Sequence, residues 1–136
     1  MRTRFLDTNV LVYAVTQGDP REPTAMSLLA EGGVISVQVL NEFAHVLRRK
    51  LRFSWRDARQ ALEAVRAVCP DPRPLTFATH VAALDLGERY GVPIYDSLIL
   101  AAALEAGCDT LLTEDLQHGQ VIEGRLTIRN PFAGLA

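Results

Sequence analysis

The chain predicts an α/β fold, a short parallel β-sheet with helices on both faces, and two observations lead to it. Short apolar runs alternate with longer stretches of helical periodicity, the pattern of strands joined by helical crossovers. A length of 136 residues with 49% apolar content suits one domain spanning 1–136, able to bury about two-thirds of its unfolded surface in a single core.

The first apolar run, Arg4-Phe5-Leu6, is a strand broken by Asp7-Thr8-Asn9, and Val10, Leu11, Tyr13 and Ala14 then recur at helical spacing. Glu22 to Ala30 is a second helix, opened by Asp19-Pro20 and closed by Gly32-Gly33. The β-branched run Val34-Ile35-Ser36-Val37 predicts a strand. From Gln38, the positions Leu40, Phe43, Ala44, Leu47 and Leu51 trace an amphipathic helix. Ser54 offers an N-cap for a helix over Trp55 to Val68, and Pro70, Pro72 and Pro74 end it, leaving room for at most a short strand near Leu75. Thr76 to Tyr90 is helical, with Phe77, Val81 and Leu84 on one side and Gly91 as its stop. An alanine-rich helix runs from Tyr95 to Ala106, closed by Gly107, and Thr110 to Thr113 and Leu126 to Ile128 complete the strands.

Composition excludes several classes. The longest apolar stretch, Leu98 to Leu104, is far short of the ~20 residues that span a bilayer, and Asp7 stands where a signal peptide needs apolar residues. These features predict a cytoplasmic chain with no membrane contact. Cys69 and Cys108 are the only cysteines, with no Cys/His cluster, and read as buried free thiols rather than zinc ligands. Net charge is -2, but residues 43–66 carry an excess of five positive charges, against -2 before and -5 after. Within that segment Arg48, Arg49, Lys50 and Arg52 are candidate phosphate contacts; equally they suit a solvated helix end, where cations favour the helix dipole.

Acidic residues recur at element ends. Asp7 follows the first strand, Asp115 follows the Leu111-Leu112 strand, and Asp96 opens a helix. In an open α/β sheet the functional crevice lies beyond the carboxyl ends of the strands, where strand order reverses, so Asp7 and Asp115 face each other if their strands are central neighbours. Glu42, early on the helix after the second strand, falls beside the buried stripe and can point inward. Each also has a plainer role open to it: Asp7 as an N-cap, Asp96 as a helix-opening charge, Glu42 as a solvated side chain, Glu114-Asp115 as a loop pair. Two carboxylates ~5 Å apart repel by about 3 kcal/mol at an effective dielectric of 20, so four converging ones need a cation or protons. An all-oxygen set without histidine or thiolate suits Mg²⁺ or Mn²⁺, ions that serve phosphoryl chemistry. Asn9 and Thr113 are candidates to orient the carboxylates, and Ser97 to cap or touch the same network. His45 and His80 read as core or surface residues, and His118 as a candidate substrate contact.

The stretches LDTNVLVY, NEF, IYDSLILAAALEAGCDTLLTEDLQHG and IRNPF, in this order and spacing, resemble the PIN-domain family, and the chain's size is similar to single-domain VapC toxins of toxin-antitoxin pairs. The resemblance covers essentially the whole chain and implies a PIN-like, Rossmann-like fold. It implies an endoribonuclease dependent on Mg²⁺ or Mn²⁺, with Asp7, Glu42, Asp96 and Asp115 as catalytic acids. Of these, Asp7, Asp96 and Asp115 would bind the metal, and Asn9 and Thr113 would support them. Water activated by the metal would attack the phosphodiester, leaving a 5'-phosphate and a 3'-hydroxyl. RNA, whether tRNA or mRNA, would be the substrate, with the segment from Arg48 to Arg52 steering its backbone without reading its sequence. A cognate antitoxin and a homodimer are further implications. Many relatives carry another acid near Asp115, where this chain has Gln117, His118 and Gly119. Leu51, Phe53 and Trp55 could line an apolar groove for the antitoxin, or serve as core.

Two other readings stay open. One is a non-catalytic PIN-like module that binds RNA or protein, against which all four acids speak. The other is a phosphohydrolase with Asp7 as nucleophile, which would want a second Asp where Asn9 stands.

Overall fold

A computed structural model describes residues 3–135; Met1, Arg2 and Ala136, the ends of the expected domain, lie outside the described residues. The elements in order are β1 (Arg4–Leu6), α1 (Thr8–Ala14), α2 (Glu22–Glu31), α3 (Val37–Arg49), α4 (Trp55–Val68), α5 (Phe77–Tyr90), α6 (Ile94–Glu105), β2 (Thr110–Leu112), β3 (Val121–Ile122) and β4 (Leu126–Arg129). The sheet order is β1-β2-β4-β3, with β1, β2 and β4 parallel and β3 antiparallel to β4. The expected α/β architecture holds, and the sheet is mixed rather than wholly parallel.

The run Val34 to Val37, expected as a strand, supplies only isolated parallel bridges: Val34 to Phe5 and Ser36 to Arg73. Its length is limited from both sides. Gly33 precedes it, and the Ser36 side chain already accepts from Val39 N as N-cap of α3. The pairing expected near Leu75 falls instead at Arg73, while Leu75 is exposed. Because Val34 flanks β1 on one edge and β2 flanks it on the other, successive connections leave β1 in opposite directions, which makes the β1–β2 carboxyl end the switch point of the sheet. The hairpin strand β3 adds to the strands expected from the sequence. Its two residues follow Gly119 and are too few to carry a periodic signal.

Both faces of the central strands are covered, since neighbouring residues Phe5 and Leu6, and all of Thr110, Leu111 and Leu112, are buried. The middle of α6, Ser97 to Ala103, is buried on every side, as an all-round apolar helix requires. Ser54 caps α4 by accepting from Asp57 N, and Thr76 forms a capping box with Thr79 at the start of α5. Cys69 and Cys108 are buried free thiols, and burial pushes the pKa of both up. Among the described residues no helix is long and apolar enough to cross a membrane. Leu51 and Phe53 pack against the core, whereas Trp55 is exposed.

Helices α5 and α6 approach closely at Gly87, where an added Cβ would lie 2.9 Å from Ser97 Oγ and 3.2 Å from the Val92 carbonyl oxygen. Ser97 is fully buried, and its hydroxyl donates to the Pro93 carbonyl at 3.0 Å. It therefore serves the helix contact and not the acidic network expected of it. A Gly87→Ala change gains up to ~1 kcal/mol of helix propensity but overpacks this contact at a cost of roughly 1–3 kcal/mol. The expected net result in urea denaturation is destabilisation of about 1 kcal/mol, partly recovered in the Gly87→Ala/Ser97→Ala double variant. A Gly87→Ala protein more stable than the parent would contradict the contact.

Candidate active site

Asp7 ends β1 and is the N-cap of α1, 3% exposed. One carboxylate oxygen accepts from Thr8 N at 2.7 Å and the other from the Thr113 hydroxyl at 2.7 Å. Thr113 follows β2 and is itself buried; its Oγ1 also accepts from the Asp115 backbone N at 3.0 Å. The Asn9 side-chain amide, one residue into α1, donates to Thr113 Oγ1 and to Asp115 Oδ2, both at 3.2 Å. Two strands that pair in register thus deliver Asp7 and Asp115 to one network with a single hydroxyl between them. Asn9 and Thr113 are thus hydrogen-bonded to each other and to the two acids.

Glu42 joins from the other side. Its Oε2 accepts from the Thr8 hydroxyl at 2.7 Å and its Oε1 from Gln38 Nε2 at 3.0 Å, one helical turn earlier. Asp96, half-buried in the first turn of α6, sits near enough for Asp115 and Glu42 to raise its pKa, after burial as the larger cause. For Asp7, burial pushes the carboxyl up to about 7, opposed by the hydrogen bonds from Thr113 and Thr8 and reinforced by Asp115 and Glu42. Asp115 is exposed.

A cavity of about 760 Å³ opens against this cluster. Glu42 and Asp115 line it together with Thr8 and Asn9, and it continues along α3 past His45 to Lys50. Tyr13 also lines it and is itself braced. Tyr13 donates to Glu114, carries the Arg21 guanidinium 3.8 Å above its ring, and meets Phe132 edge-on. Arg21 in turn pairs with Asp19 at 2.9 Å and with Glu114 at 3.4 Å. Glu114 is thereby fixed beside Asp115, a role in the loop that its ordinary reading did not separate from its neighbour's.

The basic residues divide. Lys50 lines the cavity, and Arg49 and Arg52 are exposed, the latter at φ 58° in the turn after α3. Arg48 donates to the Phe53 carbonyl at 2.9 Å and stacks over Trp55 at 4.2 Å, so it staples the α3–α4 turn. His118, considered as a substrate contact, accepts from Asn130 N at 2.9 Å and holds its own loop; His80 is exposed. Thr8, Gln38, Tyr13 and Arg21 carried no separate signal in the sequence, since their roles depend on partners 34 to 101 residues away or on helix phase.

Among the described residues no three acidic, histidine or cysteine groups form a ready-made metal cage. Magnesium is commonly bound by one or two carboxylates plus waters and substrate phosphate, and the residues present fit that mode. The donors are all oxygens, and Asn9 Oδ1 is a buried carbonyl oxygen without a hydrogen-bond partner beside Asp115.

A family model described as the PIN domain matches residues 4–123. The chain is similar in structure to VapC20 of Mycobacterium tuberculosis, described as a sarcin-ricin loop cleaving toxin, with 21% identity, a TM-score of 0.66, and coverage of 83% of this chain and 90% of that one. It is similar to VapBC2 of Rickettsia felis bound to a promoter DNA fragment, with 22% identity, a TM-score of 0.66, and coverage of 94% and 98%. A toxin-antitoxin complex from Klebsiella pneumoniae gives 18% identity, a TM-score of 0.67, and coverage of 95% and 98%. At these identities the likeness establishes the fold. No curated protein matches the chain.

Between the ordinary carboxyl value of 3.8 and about 7, the native chain keeps on Asp7 a proton that the unfolded chain has released. Raising pH through that window therefore weakens the metal-free protein, by up to about 4 kcal/mol from this one group. Thermal melts in chelator from pH 4 to 8 are expected to fall more steeply for the parent than for Asp7→Asn. Parallel profiles would show that Asp7 does not carry the proton.

Proposed function

The chain belongs to the PIN-domain family, and on that premise we propose that it is a metal-dependent endoribonuclease, the VapC-like toxin of a toxin-antitoxin pair. The observation that carries this reading is the linkage of Asp7, Glu42 and Asp115, from three separate stretches of chain at the switch point of the sheet, through Thr8, whose N–H donates to Asp7 and whose hydroxyl donates to Glu42, and through the Thr113 hydroxyl, which donates to Asp7 and accepts from Asp115 N. Crowded carboxylates have no benefit to folding unless a cation answers them. The structural likeness to toxins, one described as cleaving the sarcin-ricin loop, supports RNA as the substrate and a cognate antitoxin as partner.

Mg²⁺ or Mn²⁺, when bound, supplies Lewis-acid activation of the phosphodiester and of water. Asp7, Asp96 and Asp115 are the residues we assign to hold it, one or two of them directly and the rest through water, with Glu42 fixed by Thr8 and Gln38 as the fourth acid. Thr113 and Asn9 hold Asp7 and Asp115 in place, so little reorganisation is needed as charge develops. Asp7 must release its proton to act as a ligand, which couples ion affinity to pH. Of the basic segment Lys50 lines the cavity, where it attracts phosphate without selecting sequence, and Arg49 and Arg52 add their charge from the solvent side.

The homodimer is assigned to α5. Phe77, Val81 and Leu84 lie at i, i+4 and i+7 and are 81%, 42% and 52% exposed, an apolar stripe that water penalises and a second copy would cover.

Cleavage of single-stranded RNA in Mn²⁺ is expected to fall roughly a hundredfold or more in Asp7→Asn and in Asp96→Asn, with circular dichroism and melting cooperativity retained. Wild-type rates in both variants would remove the assigned pocket, and calorimetry with no saturable Mn²⁺ binding would favour the non-catalytic module. Light scattering is expected to show a dimer for the parent and a monomer for Phe77→Asp; two monomers would remove the stripe's role.

A further inference from the structure

The cavity extends well past the acids, and its lining changes character as it goes. Glu42, His45 and Val46 follow one another along one face of α3 and Lys50 caps its end, so the backbone positions of the acid and the lysine are about 12 Å apart along the helix axis. His45 is exposed in this wall, where the sequence suggested only a core or surface residue. From α6, Tyr95 lines the same cavity immediately before Asp96 and is 62% exposed. An aromatic face, an imidazole and an ammonium in one groove that begins at a carboxylate cluster are the parts of a nucleotide-binding track. Acids answer the scissile phosphate through a cation, a lysine answers a neighbouring phosphate, and a ring stacks a base.

We propose that Tyr95, His45 and Lys50 form a substrate subsite that holds an unpaired nucleotide beside the scissile phosphodiester, Tyr95 stacking its base and His45 with Lys50 donating to a phosphate. The proposal rests on the ribonuclease reading and deepens it to unpaired RNA. Bases in an A-form duplex are stacked on each other and offer no free face to a tyrosine, whereas a loop or single strand can splay one out. Stacking tolerates any base, so the subsite sets strandedness and not sequence.

The test is fluorescence anisotropy of a labelled oligouridylate of about eight nucleotides, within the span of small single-strand sites, in chelator and in an Asp7→Asn background to suppress cleavage. Tyr95→Leu is expected to weaken binding about tenfold while Tyr95→Phe keeps it, because the ring and not the hydroxyl does the stacking. Lys50→Gln is expected to weaken binding and reduce the salt slope by about one. His45→Gln is expected to weaken it less, and the same sequence as a blunt duplex to bind poorly. Equal affinity for Tyr95→Leu, Tyr95→Phe and the parent background, or tighter binding of the duplex, would overturn the proposal. Cleavage in Mn²⁺ is scored separately with Asp7 restored. A raised KM with nearly unchanged kcat in Tyr95→Leu supports the subsite, and an unchanged KM overturns it while leaving the ribonuclease reading in place. Single-strand binding that depends on Tyr95 without any cleavage by the parent would keep the nucleotide site and remove the ribonuclease reading.

Discussion

Repulsion among carboxylates at one end of the sheet is the constraint around which this molecule is arranged. Asp7 and Asp115 leave neighbouring parallel strands and share the Thr113 hydroxyl; Glu42 reaches the same place through Thr8. Asp96 arrives from α6 and feels both Asp115 and Glu42. A pair of such groups ~5 Å apart costs about 3 kcal/mol at an effective dielectric of 20, which exceeds what most single surface contacts return. The fold meets this with neutral hydrogen-bond donors around Asp7 and with a proton, since burial lifts that carboxyl to about 7. On the proposed reading these acids would hold a divalent ion, with Asp7 giving up its proton.

The neutral residues matter because they make the acids point one way. Thr113 donates to Asp7 and accepts from the backbone of Asp115, so one hydroxyl fixes the spacing of the two. Glu42 is held at both oxygens, by Thr8 and by Gln38. Tyr13, Arg21 and Glu114 brace the loop of Asp115 from outside, in a cluster whose guanidinium stacks on the ring and pairs with two carboxylates. Such preorganisation is what electrostatic catalysis needs, because side chains that must swing into place lose part of the gain. The packing of α6 against α5 at Gly87 serves the same end, for it sets where Asp96 and Tyr95 begin their helix.

The basic segment shows how one local pattern resolves into separate jobs. Arg48, Arg49, Lys50 and Arg52 stand together in sequence, yet helix phase and the turn after α3 send them apart. Arg48 closes the turn against Phe53 and Trp55, Lys50 reaches the cavity, and Arg49 and Arg52 stay in solvent. Charge counting sees the excess and not its direction.

Local signals were enough for most elements. The Ser54 cap, the Gly91 stop and the proline cluster after α4 are short-range devices whose physics is complete within a few residues, and α4 and α5 end where these stand; Thr76, expected as the first helical residue, is the N-cap of α5. The acids at strand ends, and Thr113 and Asn9 beside them, were legible for the same reason: position relative to an element end is a local property. What took the tertiary structure was every relation between distant stretches. The Val34–Val37 run reads as a strand by composition but shrinks to bridges because Ser36 is already committed to capping α3. The two-residue β3 pairs only because β4 lies beside it. Thr8 finds Glu42, Arg21 finds Tyr13, and His45 and Tyr95 find one cavity through contacts that close loops of many residues, and no periodicity along the chain encodes those. Residue type and spacing determined which groups were available; the packing of strands and helices decided which of them meet.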